Sequence, residues 1–186
     1  MAKPVLQVII GSTRPGRVGP AVAGWIAQRA RQRDDFEVEV TDLAELNLPF
    51  FDEPHHPRLG QYVHQHTMDW SAIVERSDAF VFVIPEYNHT FNAATKNALD
   101  YLHAEWQNKP AGIVSYGGAS GGAHAARTLE PVLSALSMVP SGTVSVQAIR
   151  EHLDEAGRVA PTQQMDAAAN AMLTRLADRA EPLRAA

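Results

Sequence analysis

Six consecutive apolar residues, Ala79 to Ile84, limit the folds open to this chain more than any other feature. A strand with one face in solvent alternates apolar and polar side chains, whereas this run, AFVFVI, is apolar at every position. We therefore predict a strand that is covered on both faces, at the centre of a parallel sheet. Residues that follow such a strand lie at the edge where open α/β sheets bind their ligands.

Strands and helices alternate along the rest of the chain. We predict four more strands, at Val5 to Ile10, Phe36 to Val40, Ala111 to Tyr116 and Thr143 to Val146. The alternating pattern FEVEV places the second of these near a sheet edge. Helical spacing predicts helices at Val18 to Arg31, Thr67 to Arg76, Asn92 to His103, His124 to Leu136 and Thr162 to Arg179. The result is one domain, residues 1–186, with a doubly wound α/β sheet.

Composition excludes several classes of function. The 186 residues carry a formal net charge of −5, which argues against a nucleic-acid partner. The absence of cysteine excludes disulfides, thiol nucleophiles and thiolate metal sites, so redox chemistry would need a bound cofactor. No apolar stretch approaches the ~18 residues of a membrane span, and no cleavage signal follows the N-terminus. We expect a cytoplasmic protein with no membrane partner.

The loop after the first strand has the residues that an anion requires. It combines a turn glycine, two hydroxyls, two cationic side chains and a helix N-terminus, namely Gly11, Ser12, Thr13, Arg14, Arg17 and the helix from Val18. Neither GxxxxGK[ST] nor GxGxxG is present, which disfavours a nucleoside triphosphate loop and a standard dinucleotide site. An ordinary polar turn is the alternative.

Two more loops leave predicted strand ends. Pro85 to Phe91 follows the central strand, and the glycine-rich segment 117–122 follows the fourth strand. In a five-stranded sheet of order 2-1-3-4-5, the strands that bear the three loops are neighbours. Three loops around one crevice suit a ligand with a phosphate at one end and a flat ring at the other, which is the shape of FMN.

The motifs in these loops carry a family resemblance. GSTRPGR, PEYN followed by KNALDYL, and SYGGASGG resemble the NAD(P)H-dependent FMN reductase family, a branch of the flavodoxin-like fold, over about residues 4–146. The resemblance implies FMN as cofactor, NADPH or NADH as donor, and a small-molecule acceptor such as a flavin, a quinone, an azo compound or a metal oxyanion. It also implies a homodimer or homotetramer.

The resemblance assigns site residues as well. Ser12, Arg14, Arg17 and the backbone near Gly19 would hold the FMN phosphate, while many relatives have Ser or Asn near position 19. The flavin ring would lie against Pro85, Glu86, Tyr87, Asn88, Tyr116, Gly117 and Gly118. His89 departs from the small residue that many relatives have there. Hydride transfer on the flavin needs no side-chain acid or base, and backbone N–H groups of residues 116–118 are the expected donors to the ring.

Alternatives remain at this point. A flavodoxin-type electron carrier would bind FMN without oxidising NAD(P)H, and a third possibility is a binding protein that has lost the flavin. We expect Glu86 to cap or pair locally rather than to donate a proton. No metal site is predicted, because the spacing of four histidines in or near the long loop of residues 47–62 favours solvated side chains: His55, His56, His64 and His66.

Overall fold

A computed structural model describes residues 3–184, with side chains through residue 180. Its sheet is parallel, has five strands, and has the order β2-β1-β3-β4-β5, which confirms the predicted flavodoxin-like topology. The strands are β1 (Val5–Ile10), β2 (Glu37–Asp42), β3 (Ala79–Pro85), β4 (Pro110–Tyr116) and β5 (Val139–Val146).

Helices cover both faces of the sheet. They are α1 (Gly19–Arg31), α2 (Leu43–Leu46), α3 (Gln65–Glu75), α4 (Ala93–Asp100), α5 (Ala123–Ala135) and α6 (Gln163–Arg184). One apolar cluster joins the sheet to α1 and α6, and a second cluster joins the opposite face to α3, α4 and α5. This arrangement is the doubly wound fold in which ligands bind at the carboxyl ends of the strands.

The central strand β3 is buried at every position, as its composition predicts. Val81 and Val83 contribute to the core beneath α1 and α6. On the opposite face, the Phe80 ring lies 5.1 Å from the Trp106 ring, edge to face. Both faces of β3 are therefore filled, and the strand pairs with β1 and β4 on its two sides.

Three elements depart from prediction, and one of them, the four-residue helix α2, was not predicted at all. The helix predicted at Asn92 to His103 ends at Asp100, and a 3₁₀ turn, Ala104–Trp106, follows it. The last strand begins at Val139 rather than Thr143, because Val139 and Pro140 pair with Pro110 and Ala111 of β4 before a bulge, despite a composition typical of a turn. An edge strand tolerates proline, since only one of its sides has a neighbour.

The long connection after α2 has little regular structure but is firmly attached to α4. The Asn97 side chain donates to the Pro49 carbonyl at 2.7 Å and accepts from the Phe51 N–H at 2.9 Å. The Tyr101 hydroxyl donates to the Asp52 carboxylate at 3.0 Å. These contacts leave Phe50 on the surface, where it is 85% exposed.

Among the described residues, no helix has the length and apolar composition needed to cross a membrane.

Candidate functional site

A cavity of about 610 Å³ opens at the carboxyl edge of the sheet, between the loops that follow β1, β3, β4 and β5. Eight of the predicted site residues line it: Arg14, Arg17, Pro85, Glu86, Tyr87, Tyr116, Gly117 and Gly118. The loops from three neighbouring strands thus meet where the topology requires, and the fourth loop adds residues that sequence reasoning did not include.

Two buried hydroxyls beneath the cavity have no hydrogen-bond partner among the described residues. They belong to Ser12, which is fully buried, and to Tyr116, which is 4% exposed. Burial raises the pKa of Tyr116 to about 12, against a smaller opposing effect of the neighbouring Ser12 hydroxyl, so the Tyr116 hydroxyl remains a donor throughout the neutral range. Buried polar groups are rarely left unpaired, because each such group costs about 1 to 3 kcal/mol. The Tyr116 side chain also lines the cavity, so both hydroxyls lie close to its floor.

Gly19 sits directly against both hydroxyls. A Cβ atom added at Gly19 would lie 2.2 Å from the Ser12 Oγ and 2.9 Å from the Tyr116 Oη. Neither distance is tolerable without movement, so the glycine keeps room for the two hydroxyls.

The N-terminus of α1 is open to an anion. No described side chain caps it, and its first turn contains no acidic residue. The guanidinium of Arg14 lines the cavity and makes no hydrogen bond or ion pair within the described part of the chain. Pro20 has no N–H and the Ala21 N–H donates to the Val18 carbonyl at 3.1 Å, so the Gly19 N–H is the donor of the first turn that has no partner in the described part of the chain. A free N–H at a helix N-terminus beside an unpaired arginine favours an anion.

Arg17 has a different environment. Its guanidinium donates two hydrogen bonds of 2.6 Å to the Asp42 carboxylate and a third, also of 2.6 Å, to the Ser12 carbonyl. The hydrogen bond with Asp42 raises the pKa of Arg17 above its usual value, against a smaller opposing effect of burial. Arg17 therefore lines the cavity and also joins the loop of residues 11–19 to the end of β2.

Glu86 caps α5 from the loop after β3. Its carboxylate accepts from the Ser120 hydroxyl at 2.9 Å and from the His124 backbone N–H at 3.0 Å. Burial pushes the pKa of Glu86 up, but hydrogen bonds from Ser120 and His124 outweigh it and hold that pKa below its usual range. An ionised carboxylate committed to a helix N-terminus is a poor proton donor, in keeping with the local role expected for it.

The turn after Glu86 presents Tyr87 to the cavity. Tyr87 and Thr90 exchange backbone hydrogen bonds of 2.9 and 3.1 Å, and the two residues between them have positive φ angles, 49° at Asn88 and 64° at His89. This geometry is that of a type I′ turn. Asn88 is exposed and lies outside the cavity lining, so its predicted contact with the ring remains a prediction.

The glycine-rich loop divides into two parts. Gly121 and Gly122 have positive φ angles, and a Cβ atom at Gly122 would lie 2.6 Å from the Tyr116 nitrogen, so both shape the fold. Gly117 and Gly118 face the cavity with ordinary φ angles. The Gly117 N–H donates to the Val146 carbonyl at 3.3 Å. Among the described residues the Gly118 N–H has no partner, which makes it the available donor to a ring.

Sequence reasoning missed the wall formed after β5. Ala148, Ile149, Arg150 and Glu151 line the cavity, and the Ala148 N–H donates to the Gly118 carbonyl at 3.0 Å. The segment has no recognisable motif and reads as a surface excursion. Because ligands bind at the carboxyl ends of the strands in such sheets, the position of this segment directly after β5 could have identified it as part of the site.

The four histidines in or near the long loop of residues 47–62 are distant in sequence from the loops that line the cavity, and they contact residues close to them. His55 and His56 are exposed, and the His56 Nδ1 accepts from the Arg58 N–H at 3.1 Å. The His66 Nε2 lies 3.0 Å from the Asp52 carboxylate, and the His64 ring stacks on that of His66. His64 and His66 are thus half-buried and bonded rather than freely solvated.

The fold and this cavity define a flavodoxin-like protein with a site suited to a phosphate and a flat ring. Residues 5–152 match the family model described as NADPH-dependent FMN reductase, and the chain belongs to that family.

Sequence relatives agree with this assignment. The chain is 42% identical over 127 residues to the NAD(P)H-dependent FMN reductase ntnL of Nectria sp.. The matched region covers 65% of this chain and 62% of ntnL, so the chain spans less than two thirds of the length of that relative. It is 35% identical over 151 residues to the NAD(P)H-dependent FMN reductase LOT6 of Saccharomyces cerevisiae, covering 75% of this chain and 78% of LOT6.

The fold also matches solved structures. FerB, a flavoenzyme NAD(P)H:(acceptor) oxidoreductase from Paracoccus denitrificans, superposes with a TM-score of 0.75 at 21% identity, covering 95% of this chain and 98% of FerB. At that level of identity the match shows a shared fold.

Proposed function

We propose that this chain is an NAD(P)H-dependent, FMN-containing reductase. It binds FMN in the cavity at the carboxyl edge of the sheet, oxidises NADPH or NADH, and reduces a small-molecule acceptor such as a flavin, a quinone or an azo compound. In this proposal the whole chain, residues 1–186, acts as a single FMN-binding domain in the cytoplasm.

The observation that carries the proposal is the pair of unpartnered buried hydroxyls at Ser12 and Tyr116. They lie beside the open N-terminus of α1, with the unpaired guanidinium of Arg14 in the same cavity. A phosphate in the cavity would accept from the guanidinium, and from the two hydroxyls once these turn towards it. The residues present therefore fit the phosphate of FMN, which gives the loop of residues 11–19 a ligand to satisfy its donors.

The remaining walls fit the flavin ring. Pro85 and Tyr87 offer apolar and aromatic surface on one side, and the backbone of Gly117 and Gly118 is bare of side chains on another. Nothing lies within 4 Å of a Cβ position at Gly118, so a flat group can approach its N–H. That N–H would donate to the ring, where it favours negative charge.

The protein's part in catalysis is to bind and orient. Bound FMN supplies the redox chemistry by accepting hydride from a nicotinamide. Glu86 keeps the loop and α5 together while remaining ionised, and the opening beside Tyr87 leaves the ring accessible to donor and acceptor in turn. Arg150, exposed on the far wall, provides a second cation for a phosphorylated donor.

A flavodoxin-type electron carrier is the second candidate, because the fold is common to both. The cationic phosphate loop, with Arg14 and Arg17, supports the reductase instead, since carriers of that type bind the phosphate through a loop rich in serine and threonine. The named relatives are reductases rather than carriers.

A homodimer or homotetramer is also proposed. Several large apolar side chains are exposed on or near the loop that packs on α4: Phe50, Phe51, Leu59, Val63 and Met68. A second cavity, of about 530 Å³, lies between Phe50, Asn97 and Leu43 on this side. A second copy of the chain would cover this surface, and Phe50→Asp should then shift the mass measured by light scattering to that of a monomer.

The test of function is made on the purified full chain. Reconstitution with FMN should give a yellow protein, and anaerobic addition of NADPH or NADH should bleach it. A yellow protein that neither nucleotide bleaches, but that a chemical reductant does, would indicate the electron carrier. A protein that does not bind FMN at all would exclude both candidates.

A further inference from the structure

Three potential metal ligands converge beside the flavin cavity, on two loops that are distant in sequence. Glu86 and His89 come from the segment after β3, and His124 comes from the first turn of α5. One ligand atom from each residue lies within 4.8 Å of the other two. The Nδ1 atoms of His124 and His89 lie 3.2 and 3.9 Å from the same carboxylate oxygen, Oε1 of Glu86.

These distances are close to those of a formed site. Ligand atoms in a tetrahedral zinc site are about 3.3 Å apart, because each lies about 2.0 to 2.1 Å from the ion. The distance from Glu86 to His124, 3.2 Å, already matches this value. His89 Nδ1 lies 3.9 Å from the same oxygen, and all three ligand atoms lie within 4.8 Å of one another, so His89 would move by about 1 Å to complete the site. His89 is 78% exposed at its side chain, so that shift meets little resistance.

The carboxylate is held ready for such a role. Its second oxygen, Oε2, accepts from the His124 backbone N–H at 3.0 Å, and the Ser120 hydroxyl donates to Oε1 at 2.9 Å. Hydrogen bonds of this kind to a ligating carboxylate fix its orientation and strengthen metal binding. Glu86 can therefore ligate through Oε1 while it continues to cap α5 through Oε2.

The turn is also held against the helix independently of the ligands. The Thr90 hydroxyl lies 3.1 Å from that of Thr128, one helical turn beyond His124. The His89 and His124 rings are 4.5 Å apart and perpendicular. His89 itself has a left-handed backbone conformation, with φ at 64°. Two separate contacts thus bring His89 to the same place.

We propose that Glu86, His89 and His124 bind a divalent transition-metal ion of the Zn²⁺ class at the rim of the cavity. Two imidazoles and one carboxylate favour Zn²⁺, Co²⁺ or Ni²⁺ over Mg²⁺, which prefers oxygen ligands. Three protein ligands leave a coordination position open to solvent. The ion would join the turn that bears Tyr87 to the helix behind the glycine-rich loop. The partial positive charge of the α5 N-terminus opposes a cation, and the Glu86 carboxylate offsets it.

Isothermal titration of the full chain with ZnCl₂, after dialysis against EDTA and then against buffer, tests the proposal. We expect one Zn²⁺ per chain at this site and a higher melting temperature with Zn²⁺ present. His89→Asn and His124→Gln should each weaken Zn²⁺ binding by about tenfold or more, because loss of a residue that only hydrogen-bonds to a metal ligand already lowers affinity by that factor. Asparagine is chosen at position 89 because it tolerates a positive φ.

The matched control is His66→Asn, which removes a half-buried histidine that also lies beside a carboxylate. It should retain the wild-type affinity for Zn²⁺. The proposal is overturned if wild-type protein binds no Zn²⁺, if it binds Mg²⁺ as tightly, or if His89→Asn and His124→Gln bind Zn²⁺ as the wild type does. Circular dichroism of each variant, compared with that of the wild type, distinguishes loss of the metal site from loss of the fold.

Discussion

The guanidinium of Arg17 and the carboxylate of Asp42 form a two-hydrogen-bond pair, with both N–O distances at 2.6 Å. The pair links the loop of residues 11–19, after β1, to the end of β2, and both side chains are largely buried, at 18% and 10% exposed. Asp42 also accepts from the Ala44 N–H and so begins α2. One contact therefore positions the loop, the sheet edge and a short helix together.

Because of this pair, Arg17→Ala should lower the free energy of unfolding as well as FMN affinity. Loss of hydrogen bonds between charged groups that are mostly buried costs about 1 to 3 kcal/mol. The control Lys96→Ala breaks the exposed pair with Asp100 and should cost about 0.5 kcal/mol or less. Urea unfolding of the apo-protein measures both, and equal effects of the two substitutions would contradict the structural role of Arg17.

Arg14→Ala, unlike Arg17→Ala, should change FMN affinity but not the free energy of unfolding. Its guanidinium has no partner in the described part of the chain, so stability should change little while FMN binding weakens by about ten- to a hundredfold. Arg127→Ala, which removes an exposed arginine on α5, is the control. Fluorescence quenching on titration with FMN measures the affinity, and an unchanged affinity in Arg14→Ala would remove the arginine from the phosphate site.

Tyr116→Phe should stabilise the apo-protein and weaken FMN binding. The substitution deletes a buried hydroxyl that lacks a partner, which relieves a cost of about 1 to 3 kcal/mol. Because the pKa of Tyr116 is about 12, the loss of FMN affinity should be equal at neutral and mildly alkaline pH. Tyr101→Phe, which deletes a hydroxyl bonded to Asp52, should instead destabilise the fold and leave FMN affinity unchanged. A destabilised Tyr116→Phe apo-protein would show that the hydroxyl is satisfied without a ligand.

Gly19→Ala should reduce FMN affinity by about three- to tenfold, the worth of one neutral hydrogen bond. The added Cβ atom would lie 2.2 Å from the Ser12 Oγ and would rotate that hydroxyl away from the phosphate. Ala substitution at Gly24, where nothing lies within 4 Å of a Cβ atom, provides the matched control on the same helix. Equal FMN affinities for the two variants would contradict the proposed role of Gly19.

Substitutions in the glycine-rich loop should affect either the stability of the fold or the binding of flavin, depending on which glycine is replaced. Gly122→Ala places a Cβ atom 2.6 Å from the Tyr116 nitrogen at a φ of 82°, so it should lower the melting temperature of the apo-protein. At Gly117 an added Cβ atom would have no neighbour closer than 3.3 Å, and the φ angle is not positive. The main effect of Gly117→Val should therefore be on flavin affinity and NADPH oxidation. If Gly117→Val lowered only the melting temperature, the ring would not lie against Gly117.

The apolar run of β3 and the alternation of strands and helices predicted a doubly wound parallel sheet, and the flavodoxin-like strand order then placed the three strand-end loops around one cavity. They succeed because burial on two faces leaves a strong signal in composition. Sequence could not predict that Arg17 pairs with Asp42, that Val146 occupies the Gly117 N–H, or that Ala148 and its neighbours form a wall. Each depends on which side chains meet across the sheet. His89 and His124 meet for the same reason, although they lie on different loops.

The most direct test of the account is the anaerobic rate at which NADPH or NADH reduces FMN bound to the full chain, followed in a stopped-flow instrument and compared with free FMN in the same buffer. We predict that bound FMN is bleached much faster than free FMN by at least one of the two nucleotides, with a rate that saturates as the nucleotide concentration rises. Bound FMN that both nucleotides reduce no faster than free FMN would contradict the account.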